Sequence, residues 1–422
     1  MINDKKVVAL IIEANPLTKG HIKIINEAKK LGDILICLLA GNFVQRGELA
    51  IYNKYDRAKA LIKHGADIVL EMPVEYALSS AKYYARASIN ILNKLGIVDY
   101  LIFGSNINDV EKLYKISNEI NNVLEYNDKK NTNNKQKNKY KLNSKNYNDI
   151  RFEDDKDLNN NKKSFVATSY PKYIEEKINI KLSPNDILAV EYLSALKEFK
   201  SKIIPITIKR DESLKSASEI REILLHSGMK QSACRGEGAS PTTLIDNIKY
   251  HTPLTTNIDL TNHIDQKIFY CIKNSIPLTD FYDIDEDFKN NILKVYENGF
   301  TNYNDLCNKL HKKHLTLANV KRKLLHILLD IKENDVKSTN YGKNIKFVRV
   351  LAIKKESAKY LKYFSLPFIT NTNKKEYNKF YETYGFNIEN NPSLKINYYA
   401  SLFYDMITNS KNIEGTRKFM TY

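Results

Sequence analysis

The stretch Val7-Val8-Ala9-Leu10-Ile11-Ile12-Glu13-Ala14-Asn15-Pro16-Leu17-Thr18-Lys19-Gly20-His21 decides how the chain is read. Its opening run of apolar residues does not alternate and is short for a helix, so it predicts a strand buried on both faces. Behind it come a proline that stiffens a turn, a threonine suited to cap a helix, a glycine that admits close backbone approach, and a histidine in the first helical turn. In a parallel α/β sheet, ligands bind beyond the carboxyl ends of the strands, where such a strand-to-helix turn lies. A helix starting near His21 presents unpaired N–H groups and a positive dipole end, which suits phosphate. An imidazole there can donate to oxygens that gain charge as a phosphoryl bond breaks, and Lys19 would add a point charge. A plainer reading stays open, in which Thr18 is an ordinary cap and His21 an exposed first-turn residue.

Outward from this turn the pattern repeats. Ile22, Ile25, Ala28 and Leu31 share a helical face closed by Gly32, and DILICLLA (33–40) reads as the next strand. A helix from about Lys54 to His64, the strand DIVLEMP (67–73), a long helix through Tyr76–Leu95 and the strand VDYLIFGS (98–105) follow. Continuous apolar strands separated by helices predict an α/β, Rossmann-like parallel sheet covered on both faces. From 127 to 163 the composition collapses to Asn, Lys and Asp, which predicts a surface insertion unable to offset its ordering entropy. The pattern resumes with a Ser183-capped helix in SPNDILAVEYLSALKEF (183–199) and the strand IIPITI (203–208).

Two further stretches bear on chemistry. SASEIR (216–221) opens a helix after the last strand, with Ser216 and Ser218 offering hydroxyls and Arg221 one turn inside. A second basic helix start at the same sheet edge would clamp the β- and γ-phosphates of a nucleotide, although an ordinary Ser-capped helix is the alternative. GNFVQRGELAIYNK (41–54) crowds Asn42, Gln45, Arg46 and Glu48 into a loop after the second strand, where loops usually carry function. The commonest phosphate cradles, a P-loop and GxGxxG, are both missing. The two helix starts, one near each end of an α/β pattern, favour nucleotidyl transfer.

The chain has 422 residues and a formal net charge of +17, so its long-range field favours polyanions. Cys37, Cys234, Cys271 and Cys307 lie far apart without a CxxC pair, which argues against a zinc site or disulfide framework and fits a reducing cytoplasm. The first apolar run is too short for a signal peptide, and no stretch approaches a membrane span. RGEGASP (235–241) reads as a domain boundary. Beyond it, 242–335 is mainly helical, and KFVRVLAI (346–353), LPFIT (366–370) and a helix around Leu394–Ile407 suggest a small mixed α+β subdomain. NKLHKKHLTLANVKRKLLH (308–326) predicts a helix gathering Lys312, Lys313, Lys321, Arg322 and Lys323, suited to nucleic-acid phosphates or to solvent.

With these residues in hand, the chain resembles the bacterial tRNA(Met) cytidine acetate ligase family, within the HIGH-motif nucleotidylyltransferase superfamily. The resemblance rests on IIEANPLTKGH, GNFVQRGELAI, the segment from KYDRAK to NKLGI, LIFGS, SPNDILAVEYLSAL, ITIKR and SASEIR, and more loosely on IKFVRVLAI and SLPFIT. It implies an enzyme that joins ATP and acetate into acetyl-adenylate and then acetylates the wobble cytidine of elongator tRNA(Met). Carried across by motif, the ATP site falls on Ile11, Ile12, Glu13, Asn15, Pro16, Thr18, Gly20, His21 and Ile24, on Gly104, on Asn185 and on Arg210. With the residues read above, the expected catalytic groups are His21, Lys19 and Arg221, and Ser216 and Ser218 join the nucleotide site. Magnesium is expected with ATP, without a protein ligand set. Ala14 stands where the family has tyrosine, Thr18-Lys19-Gly20-His21 where it has an HNGH-like turn, and Leu49 where it has proline. The implied domains are 1–235, nucleotidylyltransferase, and 236–422, basic, mainly helical and RNA-binding. The rival expectations are an adenylyltransferase for a phosphorylated small molecule and a non-catalytic ATP-binding RNA-binding protein.

Overall fold

The computed structural model describes residues 2, 4–121, 180–211, 213–226, 258–312, 315–387, 389–410, 414 and 419–422. The Asn/Lys insertion and the RGEGASP stretch lie outside the described residues.

The opening segment forms β1 (Val7–Ile12), α1 (Lys19–Leu31), β2 (Ile34–Ala40), the short hairpin β3 (Phe43–Val44) and β4 (Glu48–Leu49), α2 (Lys54–Lys63) and β5 (Ile68–Met72). After these come α3 (Val74–Ala77), α4 (Ala81–Leu95), β6 (Tyr100–Ser105), α5 (Pro184–Glu198), β7 (Ile204–Lys209) and α6 (Ala217–His226). β1 pairs in parallel with β2 and β6, β2 with β5, and β6 with β7. Side chains on β1 and β2 alternate between two apolar clusters. Val7, Ala9, Ile34, Ile36 and Leu38 face one, and Val8, Leu10, Leu35, Cys37 and Leu39 face the other. Each strand is therefore apolar on both sides, which is why its sequence shows no alternation.

The helix expected through Tyr76–Leu95 is two helices. Ser79 and Ser80 interrupt it, and Ser80 takes extended backbone as the N-cap of α4. Serine competes for backbone hydrogen bonds, as here where the Ser79 hydroxyl donates to the Glu75 carbonyl at 2.7 Å. α4 ends at Gly96, whose φ of +76° is a left-handed cap.

The second half contributes α7 (Thr261–Lys273), α8 (Glu286–Asn298), α9 (Tyr303–Leu310), α10 (Leu317–Leu328), α11 (Glu333–Ser338), β8 (Val348–Ile353), β9 (Phe368–Ile369), α12 (Lys374–Tyr384), α13 (Pro392–Ile407) and β10 (Met420–Thr421). β8 does not belong to a subdomain of its own. It pairs antiparallel with β5, carries β9 and β10, and extends the sheet to the order β10-β8-β5-β2-β1-β6-β7 with β9 beside β8. The physical reason is its composition: all six residues of β8 are buried, and both faces need covering.

The junction carries a buried charge network. Lys54 Nζ donates to Glu71 Oε1 and to Ser401 Oγ, both at 2.7 Å, and lies 3.5 Å from Glu414. Arg349 bonds Glu414 and the Tyr55 hydroxyl, and Tyr55 donates to Glu414 at 2.8 Å. Burial alone would raise the Glu414 carboxyl, but Arg349 and Lys54 outweigh it and hold it at about 2. Two cations thus face two carboxylates from β5, α2, β8 and the C-terminal segment, locking the halves together.

Candidate nucleotide site at the carboxyl edge of the sheet

The turn after β1 is built as its composition suggests. Thr18 caps α1 in extended backbone, and its side chain accepts from the His21 N–H at 3.4 Å. The Thr18 N–H donates to His21 Nδ1 at 3.0 Å, closing a reciprocal capping box in which histidine takes the place of the usual glutamate. Because Nδ1 accepts, the neutral imidazole carries its proton on Nε2. Burial, and then the nearby Arg210 cation, push the His21 pKa down to about 4. At neutral pH the group is a neutral donor fixed at a helix start. Against the plainer reading of an exposed residue, His21 is half-buried, whereas Lys19 is exposed.

Asn15 is 1% exposed. Its side-chain oxygen accepts from the Ile51 N–H at 2.9 Å, while its carboxamide nitrogen is buried with no hydrogen-bond partner among the described residues. The Asn15–Pro16 bond is cis. A Cβ built on Gly104 would sit 3.4 Å from Ile24, so the end of β6 lies against the first turns of α1. Asn185 opens α5 beside Asp186, whose carboxylate accepts from the Ser105 hydroxyl at 2.6 Å and the Asn106 N–H at 2.9 Å. Burial opposes its ionisation, but the Ser105 and Ser183 hydrogen bonds prevail and its pKa falls. Asp186 thereby ties the start of α5 to the end of β6. The Arg210 N–H donates to the Ser105 carbonyl at 3.2 Å.

From the far end of the fold, α6 reaches the same turn. Arg221 Nη1 donates to the Asn15 carbonyl at 2.6 Å, and Nη2 to the Ser218 hydroxyl at 3.3 Å. Ser216 and Glu219 form a capping box of their own, with the Glu219 N–H donating to Ser216 Oγ at 3.2 Å. Arg221 is 8% exposed, and in this structure it braces the turn. Glu13 stands among cations: burial raises its pKa against the Gln45 N–H, which donates to it at 2.8 Å, and against Arg46, Arg221 and Arg57. The structure therefore draws Glu13, Asn15, Thr18, His21, Ile24, Gly104, Arg210 and Arg221 to one edge.

Arg57 escaped the sequence reading. It is fully buried and donates to the carbonyls of Tyr52 at 2.9 Å, Glu13 at 2.6 Å and Ala40 at 2.9 Å, and to that of Gly41. It holds the chain ends leaving β1 and β2 in one place. A cation satisfied by main-chain oxygens leaves no pairing signal in sequence, and its place in KYDRAK was the only hint.

The basic run at 308–326 is corrected. α9 stops at Leu310, and Thr316 caps a separate α10, so Lys312 lies outside both helices and Lys313 outside the described residues. Lys321 Nζ donates to Glu48 at 2.9 Å, Arg322 to the Gln45 carbonyl at 2.9 Å, and Lys323, 4% exposed, pairs with Asp283 at 3.3 Å. These cations turn inward onto the β3–β4 hairpin and the α8 entry, not toward solvent, because anionic and carbonyl oxygens await them there.

A family model described as HIGH Nucleotidyl Transferase matches residues 5–418. Over 378 residues the chain is 31% identical to a tRNA(Met) cytidine acetate ligase of Fusobacterium nucleatum, with 85% of each chain covered. The chain belongs to this family of HIGH nucleotidyl transferases. A tRNA(Met) cytidine acetate ligase of Staphylococcus aureus is 31% identical, with 87% of this chain and 90% of that one covered. In fold, the chain is similar to the crystal structure of Thermotoga maritima TmcAL bound with alpha-thio ATP, with a TM-score of 0.76 over 99% of both chains at 22% identity. In this HIGH nucleotidyl transferase, His21 is the residue that closes the capping box. Among the described residues, no helix is long and apolar enough to cross a membrane.

Proposed function

We propose that the chain is an ATP-dependent acetate ligase that forms acetyl-adenylate and acetylates the exocyclic amine of the wobble cytidine of elongator tRNA(Met), giving N4-acetylcytidine. The observation that carries this reading is the neutral, singly protonated His21 set at the α1 N-terminus by Thr18, in a chain whose relatives bear that name. The chemistry requires activation. The cytidine amine has its lone pair delocalised into the ring, and acetate is a poor electrophile. An acetate oxygen attacks the α-phosphorus, the bond to the bridging oxygen breaks, and diphosphate leaves. The amine then attacks the acyl carbon, loses a proton, and AMP leaves.

Neither step needs a protein nucleophile; both need positioning and charge stabilisation. The α1 N-terminus, His21 Nε2–H and the Arg210 cation supply these on one side. Arg221 holds the turn in register from the other, with Lys19 at the exposed rim. Among the described residues, no group of three or more His, Cys, Asp or Glu side chains is placed to hold a metal. Magnesium would arrive with the ATP phosphates. Such work on tRNA belongs in the cytoplasm.

The test is ATP–diphosphate exchange. Exchange that requires acetate supports the ligase, and exchange that requires a phosphomonoester supports the small-molecule adenylyltransferase. ATP binding without exchange under any acid or tRNA would overturn both in favour of a nucleotide sensor.

A further inference from the structure

The two oxygens of Glu48 face cations from two different helices. Oε1 accepts from Lys321 of α10 at 2.9 Å, and Oε2 lies 3.9 Å from Arg221 Nε of α6. Arg221 in turn donates to the Asn15 carbonyl, three residues before the Thr18 cap that orients His21. The hairpin bearing Glu48 is clasped on both sides. The Gln45 N–H donates to Glu13 at 2.8 Å, and the Gln45 carbonyl accepts from Arg322 at 2.9 Å. At Gly47, with φ of +73°, α10 comes so close that an added Cβ would stand 2.6 Å from Lys321 Cβ and 2.7 Å from the Arg322 nitrogen.

From this geometry we propose that Glu48 is a positioning residue for nucleotide activation, and that Lys321–Glu48–Arg221–Asn15 forms a relay coupling the seat of α10 to the turn that receives the triphosphate. Its place in the reaction rests on the function proposed above; the relay itself is a claim about the ATP site. Glu48 works through Arg221. A carboxylate 3.9 Å from Nε draws the guanidinium toward the hairpin by charge, and the seat of the guanidinium sets the Asn15 carbonyl and the following turn. Arg46, which lies close enough to bear on the charges of both Glu13 and Arg221, adds a repulsive cation that makes the Glu48 charge necessary.

The experiment compares Glu48→Gln with the charge-exchanged pair Glu48→Lys, Lys321→Glu. ATP binding is measured by calorimetry, acetate-dependent ATP–diphosphate exchange by rate, and stability by urea midpoint. Glu48→Gln should weaken ATP binding and lower exchange kcat/KM by about tenfold each, on the scale of losing a charge-assisted contact. In the exchanged pair the contact to α10 is restored and the urea midpoint returns, but lysine beside Arg221 leaves ATP binding and exchange at least as weak. If Glu48 merely fastens the hairpin to α10, the exchanged pair recovers both, and that result overturns the proposal. So does wild-type ATP affinity in Glu48→Gln. Should the wild type show no acetate-dependent exchange, the function fails by itself, while the calorimetric comparison still decides the relay.

Discussion

Thr18 and His21 exchange hydrogen bonds across a single helical turn, so the tautomer of the His21 imidazole is written into four consecutive residues. Replacing His21 with alanine removes a donor aimed at developing charge. The expected loss in acetate-dependent exchange is roughly 100- to 1000-fold, and stability should drop by about 1 kcal/mol because the Thr18 N–H loses its acceptor. The imidazole has a folded pKa of about 4 against an ordinary value of 6.5, so between these limits the unfolded chain binds the extra proton. Stability tied to this group is complete above about 6.5 and is lost as pH falls toward about 4. Exchange should show no acid limb from His21 near pH 6.5. A His21 imidazole titrating there by NMR in the folded protein would contradict the capping geometry. The Thr18 cap was legible in the sequence, but the return bond from its N–H to His21 was not, because histidine is not the usual partner in such a box. The Arg221 contact to Asn15 spans 206 positions, and only the shared sheet edge, not any spacing, brought the two motifs together on paper. Arg57 was illegible because the main-chain carbonyls it donates to leave no mark in the sequence.

At the scale of elements, the strands of the first half were readable because a parallel strand buried on both faces is a continuous apolar run. β8 was readable as a strand in the same way, but its partner was not, since composition does not say which edge a strand will cover. The charge network that fixes it gives a direct test. Arg349→Met would leave Glu71 and Glu414 facing Lys54 alone, and breaking a buried pair in this way costs about 3–5 kcal/mol. A urea midpoint near wild type would show that the junction does not depend on the pair. The hairpin gives a second test. In Gly47→Ala, a left-handed backbone position and a clash with the α10 backbone act together, so stability should drop by about 1–3 kcal/mol. ATP affinity should fall with it, as calorimetry would show. The α10 lysines were misread for a general reason: a cation run on an amphipathic helix looks the same whether it meets solvent or a carboxylate on another element.

Across the whole molecule, the excess of 17 positive charges calls for a polyanion, although Lys321, Arg322 and Lys323 turn inward. A nucleotide-activating edge, a sheet completed by the second half, and a hairpin clasped by α10 make one unit in which adenylation and RNA acetylation can share a site. The most direct test of that claim is to incubate the protein with ATP, labelled acetate and bulk bacterial tRNA, then digest the RNA and separate its nucleosides. The account predicts label in N4-acetylcytidine from one tRNA species, and its disappearance in His21→Ala. Label that reaches no RNA with active, folded protein would contradict it.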